Sequence, residues 1–242
     1  MQSSPGLSQG IFVNAPDNYF AAGANKEMFY GDPSNSRRAR LLDIVLLRQM
    51  LYDASFEWLT TQGWSFVPID NYDGGGPEVQ FAPLEVNAAD YDLAWAMHMG
   101  YGVSGVCWRG TRFFDGPKSK AIVTGWIHFY KKYRQTLTNG GLVHVRRPDG
   151  QGLDAILHTN LAGGPSGERG ILFVFNPTLK PITTALRINL YYTGLTDTAE
   201  VLLHDDGSPQ LLRLARDYSV LVQLTVAAGG YSWFTIRDGH KD

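Results

Sequence analysis

The chain has 242 residues, 44% of them apolar and 18% charged. That is enough to bury a core and excludes disorder by composition. The net charge of −2 speaks against a nucleic-acid binder that relies on phosphate contacts. No apolar run reaches the roughly 18 residues of a membrane-spanning helix. The single cysteine, Cys107, excludes an internal disulfide and a thiolate zinc site made by this chain alone.

Residues 1–10 are polar and rich in Gly, Ser and Pro, without the basic and apolar regions of a secretory signal. This leaves a cytoplasmic protein, or a piece of a longer, secreted or periplasmic one. The first 140 residues then repeat one coarse pattern, a short apolar run ending in polar residues and followed by a helix. The first unit opens with Gly10-Ile11-Phe12-Val13 and breaks into Asn14-Ala15-Pro16-Asp17-Asn18-Tyr19. Apolar residues at i, i+4 spacing, such as Leu41 with Val45 and Leu42 with Leu46, predict a helix over 37–59, with Ser34 or Ser36 at its cap. The second unit is Trp64 to Ile69, then Asp70-Asn71-Tyr72-Asp73-Gly74-Gly75-Gly76, then a helix over 88–99. Three glycines after a strand mark a loop with a close backbone approach. The third is Val103 to Trp108, then Arg109-Gly110-Thr111-Arg112, then a helix over 118–137. Its predicted buried face is Ile122, Trp126, Phe129, Tyr130, Tyr133 and Leu137.

After Asn139 the helical period stops. Eight short strands are predicted over 142–146, 155–159, 171–175, 185–190, 199–203, 210–213, 220–226 and 231–236. Turn signals such as Pro148-Asp149-Gly150, Asn176-Pro177 and Asp206-Gly207-Ser208-Pro209 separate them. The fold class is therefore α/β followed by all-β. Residues 1–140 form a partial (β/α) barrel of three βα units, and residues 141–242 an antiparallel β-sandwich. A full (β/α)₈ barrel needs roughly 250 residues, so three units match the last part of one whose start lies elsewhere. The alternative is a small open α/β sheet, complete as it stands.

Active sites of parallel α/β folds lie at the C-terminal ends of the strands. Three such ends carry Asn14, Asp17 and Asn18; Asp70, Tyr72 and Asp73; and Trp108, Arg109 and Arg112. Carboxylates, amides, arginines and aromatics on one rim suit a neutral, hydroxyl-rich substrate. An aromatic share of 12% fits sugar rings stacked on side chains. Paired carboxylates are what glycoside hydrolysis needs: one protonates the leaving oxygen, the other attacks or activates water. Asp17, Asp70 and Asp73 are the catalytic candidates. Asn14, Asn18, Tyr72, Trp108, Arg109 and Arg112 are the substrate-binding ones.

Each has a plainer reading. Asp17 could be a turn residue or cap, Asp70 and Asp73 could shape their own loop, and the arginines could form surface ion pairs. Asp115, before Gly116-Pro117, reads as a helix cap. The six histidines form no HxH or HExxH pattern, and no nucleophile elbow, phosphate-binding loop or GxGxxG is present. No metal and no cofactor are expected. Cys107 lies in an apolar run and reads as a small buried residue.

Three segments carry a resemblance: Val13 to Tyr19, Phe66-Val67-Pro68 with Tyr72 to Gly76, and Trp126 to Tyr133. Arg146 to Gly150, Phe175-Asn176-Pro177-Thr178 and Tyr191 to Leu195 extend it. The chain resembles the C-terminal part of bacterial glycoside hydrolase-like proteins of the α-galactosidase type, a (β/α)₈ barrel followed by a β-sandwich. The resemblance implies a carbohydrate ligand and makes Asp17 the best candidate carboxylate. It places the partner carboxylate on an earlier strand, one this chain lacks. Related chains carry an acidic residue where this one has Asn71. The expected partners are a carbohydrate and either the missing N-terminal barrel segment or a second copy of the chain. A non-catalytic carbohydrate-binding or structural remnant is the alternative.

Overall fold

A computed structural model of the chain describes residues 83–101 and 112–239, the backbone of 64–68 and 105–109, and the isolated positions Val45, Arg48, Gln49, Tyr52, Asp53 and Phe56. The predicted first strand and the Asp70–Gly76 loop lie outside the described residues. Of the first predicted helix, Val45, Arg48, Gln49, Tyr52 and Asp53 are helical. The chain divides into two compact units, 1–131 and 132–242.

The first unit contains β1 (Trp64–Pro68), α1 (Ala88–Gly100), β2 (Gly105–Arg109) and most of α2 (Pro117–Asn139). β1 and β2 pair in parallel, with Trp64 opposite Gly105 and Pro68 opposite Arg109. Parallel neighbours need a crossover, and α1 lies within it. Leu93, Ala94, Trp95, Ala96 and Met97 are successive buried residues of α1, so its apolar surface runs all the way round over this stretch. Tyr91 and Trp95 meet edge to face, with centroids 6.3 Å apart.

α2 is amphipathic. Val123, Trp126 and Phe129 are buried, while Thr124, Gly125, Ile127 and His128 are exposed. Sequence periodicity put Ile122 and Tyr130 on the buried face. Instead Ile122 is half-buried, Tyr130 is exposed, and Val123 takes the inner position. Steps of three residues from 123 to 129 keep the stripe on Trp126, whose ring meets Phe129 edge to face at 5.2 Å. Among the described residues no helix is long and apolar enough to cross a membrane.

The second unit is mostly antiparallel sheet. It consists of the last turns of α2 and β3 (Gly141–Arg146), β4 (Asp154–Thr159), β5 (Glu168–Phe175), β6 (Ile182–Asn189), β7 (Thr198–Leu203), β8 (Gln210–Arg213), β9 (Ser219–Val226) and β10 (Tyr231–Asp238). Six strands form one sheet in the order β3-β4-β5-β10-β7-β8, and β6 pairs with β9 in a second. All eight predicted strands are present. Period two is clean in β9, where Val220, Val222, Leu224 and Val226 point inward and Leu221, Gln223 and Thr225 outward. The inward side chains and those of β6 pack on Ala155, Leu157, Leu172, Val174, Val201, Phe234 and Ile236 of the large sheet, the interior of a sandwich. Gln210 joins the two sheets like an extra peptide group. Its Nε2 donates to the Gln223 carbonyl at 2.7 Å and its Oε1 accepts from the Gln223 N–H at 2.9 Å.

β5 is a continuous apolar run because both of its faces are covered. Leu172 and Val174 belong to the sandwich core, while Ile171, Phe173 and Phe175 on the other face are also fully buried. Phe173 and Phe175 lie nearly parallel at 6.5 Å, and within this unit Tyr133 of α2 meets Trp233 of β10 edge to face at 6.1 Å.

Candidate functional site

The register of β1 and β2 fixes where two of the predicted site loops begin. Pro68 and Arg109 are Cα partners at the C-terminal ends of adjacent parallel strands. In the sequence Asp70, Tyr72 and Asp73 follow β1, and Arg112 follows β2. Trp108, opposite Val67, and Arg109 are the last two residues of β2. Asn14, Asp17, Asn18, Asp70, Tyr72 and Asp73 lie outside the described residues, as do the side chains of Trp108 and Arg109. Arg112 is exposed, and Phe113 and Phe114 after it are exposed too. The Phe113 carbonyl accepts from the Tyr91 hydroxyl at 3.0 Å, which ties this segment to α1. Burial pushes the Tyr91 phenol up to about 12.

The carboxylates nearest this segment have structural work. Asp115 accepts the backbone N–H of Leu84 at 2.6 Å and of Glu85 at 2.9 Å, so it holds the turn before α1. Glu85 in return accepts the N–H of Lys118 at 2.7 Å and of Ser119 at 2.8 Å, two of the orphan donors of the first turn of α2. The predicted cap role of Asp115 is thus exercised on another segment, and Glu85 caps α2. Their sequence separation of 30 residues left no local signal for this exchange.

Further along, the Asp92 carboxylate accepts from the Trp126 indole at 2.6 Å and joins the two helices. His98 is buried on α1, its Nδ1 donating to the Ala94 carbonyl at 2.5 Å. Burial lowers its pKa to about 4, against the pull of that bond, so it is neutral.

In the second unit sequence reasoning missed two carboxylate anchors, one buried and one half-buried. Glu168 is fully buried and accepts from the Thr136 hydroxyl at 2.9 Å and the Ser166 N–H at 3.0 Å. Asp205 accepts from Lys132 at 2.8 Å, from Thr235 at 3.0 Å and from the Tyr133 hydroxyl. Partial burial opposes its ionisation, but the Lys132 and Tyr133 donors outweigh that and hold its pKa below the usual carboxylate range. Burial and the bond to Asp205 raise the Tyr133 phenol. His204 and Asp205 both adopt positive φ, 50° and 68°, which turns the carboxylate toward α2. Among the described residues no group of three or more His, Cys, Asp or Glu is placed to hold a metal ion.

No protein-family model matches the sequence, and no curated protein matches it. Solved structures do. An α-amylase from Geobacillus thermoleovorans in complex with acarbose is 16% identical at a TM-score of 0.53, over 93% of this chain and 48% of that one. A GH27 β-L-arabinopyranosidase from Geobacillus stearothermophilus is 11% identical at 0.52, over 82% and 43%. A GH36 α-galactosidase from the same organism, in complex with raffinose, is 13% identical at 0.51, over 80% and 24%. The chain spans less than half the length of each. At these identities the likeness establishes a fold shared with glycoside hydrolases.

Proposed function

We propose that this chain is a glycoside hydrolase-like, carbohydrate-active protein of the α-galactosidase type, and that it supplies the last βα units and the sandwich of such an enzyme. The observation that carries the reading is the pairing of Pro68 with Arg109 at the ends of parallel β1 and β2. The two strands end side by side, Asp70, Tyr72 and Asp73 follow one and Arg112 the other in sequence, and the fold is shared with enzymes solved with acarbose and raffinose. In this reading Asp17 donates a proton to the glycosidic oxygen as the C–O bond breaks. A second carboxylate attacks the anomeric carbon or takes a proton from the attacking water. Asp70 and Asp73 stand nearest that role in this chain, unless an earlier barrel strand supplies it. Asn14, Asn18, Arg109 and Arg112 bind hydroxyls, and Tyr72 and Trp108 stack on the ring.

The test is hydrolysis of a panel of aryl α- and β-glycosides by the chain, beside Asp17→Asn and with sugar binding followed by tryptophan fluorescence. Turnover that disappears in Asp17→Asn supports catalysis by this rim. Binding without turnover, lost in Trp108→Ala, assigns a binding half-site whose second carboxylate lies elsewhere. Folded protein that neither binds nor cleaves refutes the reading.

A further inference from the structure

The sandwich carries an aromatic cluster that the proposed rim does not use. Leu190 follows β6 and is fully buried, and the chain then makes a 3₁₀ turn, Tyr191–Thr193. Tyr191 is 57% exposed and Tyr192 64%. The two rings stand edge to face at 5.2 Å, and Tyr191 meets Tyr218 edge to face at 5.1 Å. Three adjoining rings, two of them more than half exposed, make a contiguous patch rather than scattered surface residues, and such a patch fits an interaction surface.

The cluster is rigidly mounted. Leu190 N–H donates to the Tyr218 carbonyl at 2.9 Å, and the buried Thr193 hydroxyl donates to the Leu190 carbonyl at 2.6 Å. Asn189 accepts the Tyr191 N–H at 2.9 Å through Oδ1 and donates to the Asp217 carbonyl at 2.8 Å through Nδ2. Tyr218 itself closes the turn between β8 and β9, where its N–H donates to the Ala215 carbonyl at 2.8 Å. It does so at φ 61°, a left-handed position that glycine or asparagine fills without strain and a bulky ring does not. A strained backbone kept in order to present a side chain is a mark of function.

Beside the rings, Arg187 pairs with Asp217, and both side chains are more than half exposed. The Ser219 hydroxyl and N–H, and then Arg187, hold Asp217 below the usual carboxylate range. The patch thus offers exposed π faces, a guanidinium and a carboxylate of cancelling charge. That set suits a neutral pyranose, whose C–H face stacks on a ring while its hydroxyls donate to Asp217 and accept from Arg187. It does not suit a phosphate backbone, which needs unpaired positive charge.

We propose that Tyr191, Tyr192 and Tyr218, with Arg187 and Asp217, form a carbohydrate-binding platform on the sandwich that takes a pyranose unit of a neutral oligosaccharide. The inference rests on the carbohydrate-active reading above, but its residues are separate from those of the rim. The test is to screen the full chain on an array of neutral oligosaccharides and to titrate the strongest ligand calorimetrically into the wild type and variants. Tyr191→Ala and Tyr192→Ala should each weaken binding about tenfold, the worth of one well-placed aromatic contact. Tyr191→Phe, which keeps the ring, should leave it unchanged. Binding that survives both alanine variants but falls in Trp108→Ala overturns the platform and leaves the rim reading standing. Binding lost only in the tyrosine variants, with no turnover or rim binding, upholds the platform and counts against the rim. No retained glycan at all overturns the platform, and so does self-association in sedimentation that Tyr191→Ala abolishes without any glycan bound.

Discussion

His98 makes the stability of the first unit depend on pH in a direction that can be stated in advance. Its folded pKa is about 4, lowered from 6.5 by complete burial. Between those values the unfolded chain binds a proton that the folded chain does not, so acid favours unfolding. The contribution is constant above pH 6.5, declines as the pH falls toward 4, and levels off below. At about 1.4 kcal/mol per pH unit, the full span makes a loss of about 3 kcal/mol. Amide exchange over Ala88–Gly100, corrected for the intrinsic rate at each pH, measures it where it acts. His98→Leu, which leaves the Ala94 carbonyl its helical partner and removes the titrating ring, should flatten the profile between 6.5 and 4. An equal slope in His98→Leu and the wild type would refute the reasoning, and so would a flat wild-type profile.

Glu85→Ala should lower the melting temperature by the equivalent of about 1 kcal/mol, with the fastest rise in exchange at the Lys118 and Ser119 amides it now binds. Phe173→Ala should cost about 3–5 kcal/mol in urea unfolding of the second unit, because the ring is fully buried. Leu221→Ala on β9, 56% exposed, should stay within about 0.5 kcal/mol.

The strands of the sandwich were legible because each signal is local. Alternation in β9, the continuous apolar run of β5 and turn residues such as Asn176-Pro177 all act over a few positions. Asn176 shows why that turn is recognisable: its side chain donates to the Lys180 carbonyl at 2.8 Å and accepts the Thr178 N–H at 2.9 Å. The ends of β5 and β10 were read short. Glu168 and Arg237 look like solvent residues, yet they are register partners across the β5–β10 ladder. What the sequence could not show was which polar side chains meet across long separations. Glu85 with Ser119, Tyr133 with Asp205 and Thr136 with Glu168 are between 32 and 72 residues apart, and no spacing rule links them. The tyrosine platform was hidden for the same reason. Tyr191-Tyr192 is visible as a pair, but Tyr218 joins it only through the pairing of Asn189 with Ser219.

The described carboxylates also narrow where the chemistry of the proposed enzyme can lie. A general acid in glycoside hydrolysis has to hold its proton near neutral pH, so its pKa must be raised. Asp149, Asp205 and Asp217 are shifted the other way. For Asp149 partial burial opposes ionisation, but the Gln151 and Gly152 N–H groups and then Arg146 outweigh it. Glu85 and Asp115 are occupied by backbone N–H groups, and Glu168 is buried in the interior against Thr136 and Ser166. Each of these groups is an anchor already bound to the donors that hold its segment. The acid proposed above, at Asp17, Asp70 or Asp73, is thus distinct from these carboxylates that tie the helices and the sandwich together.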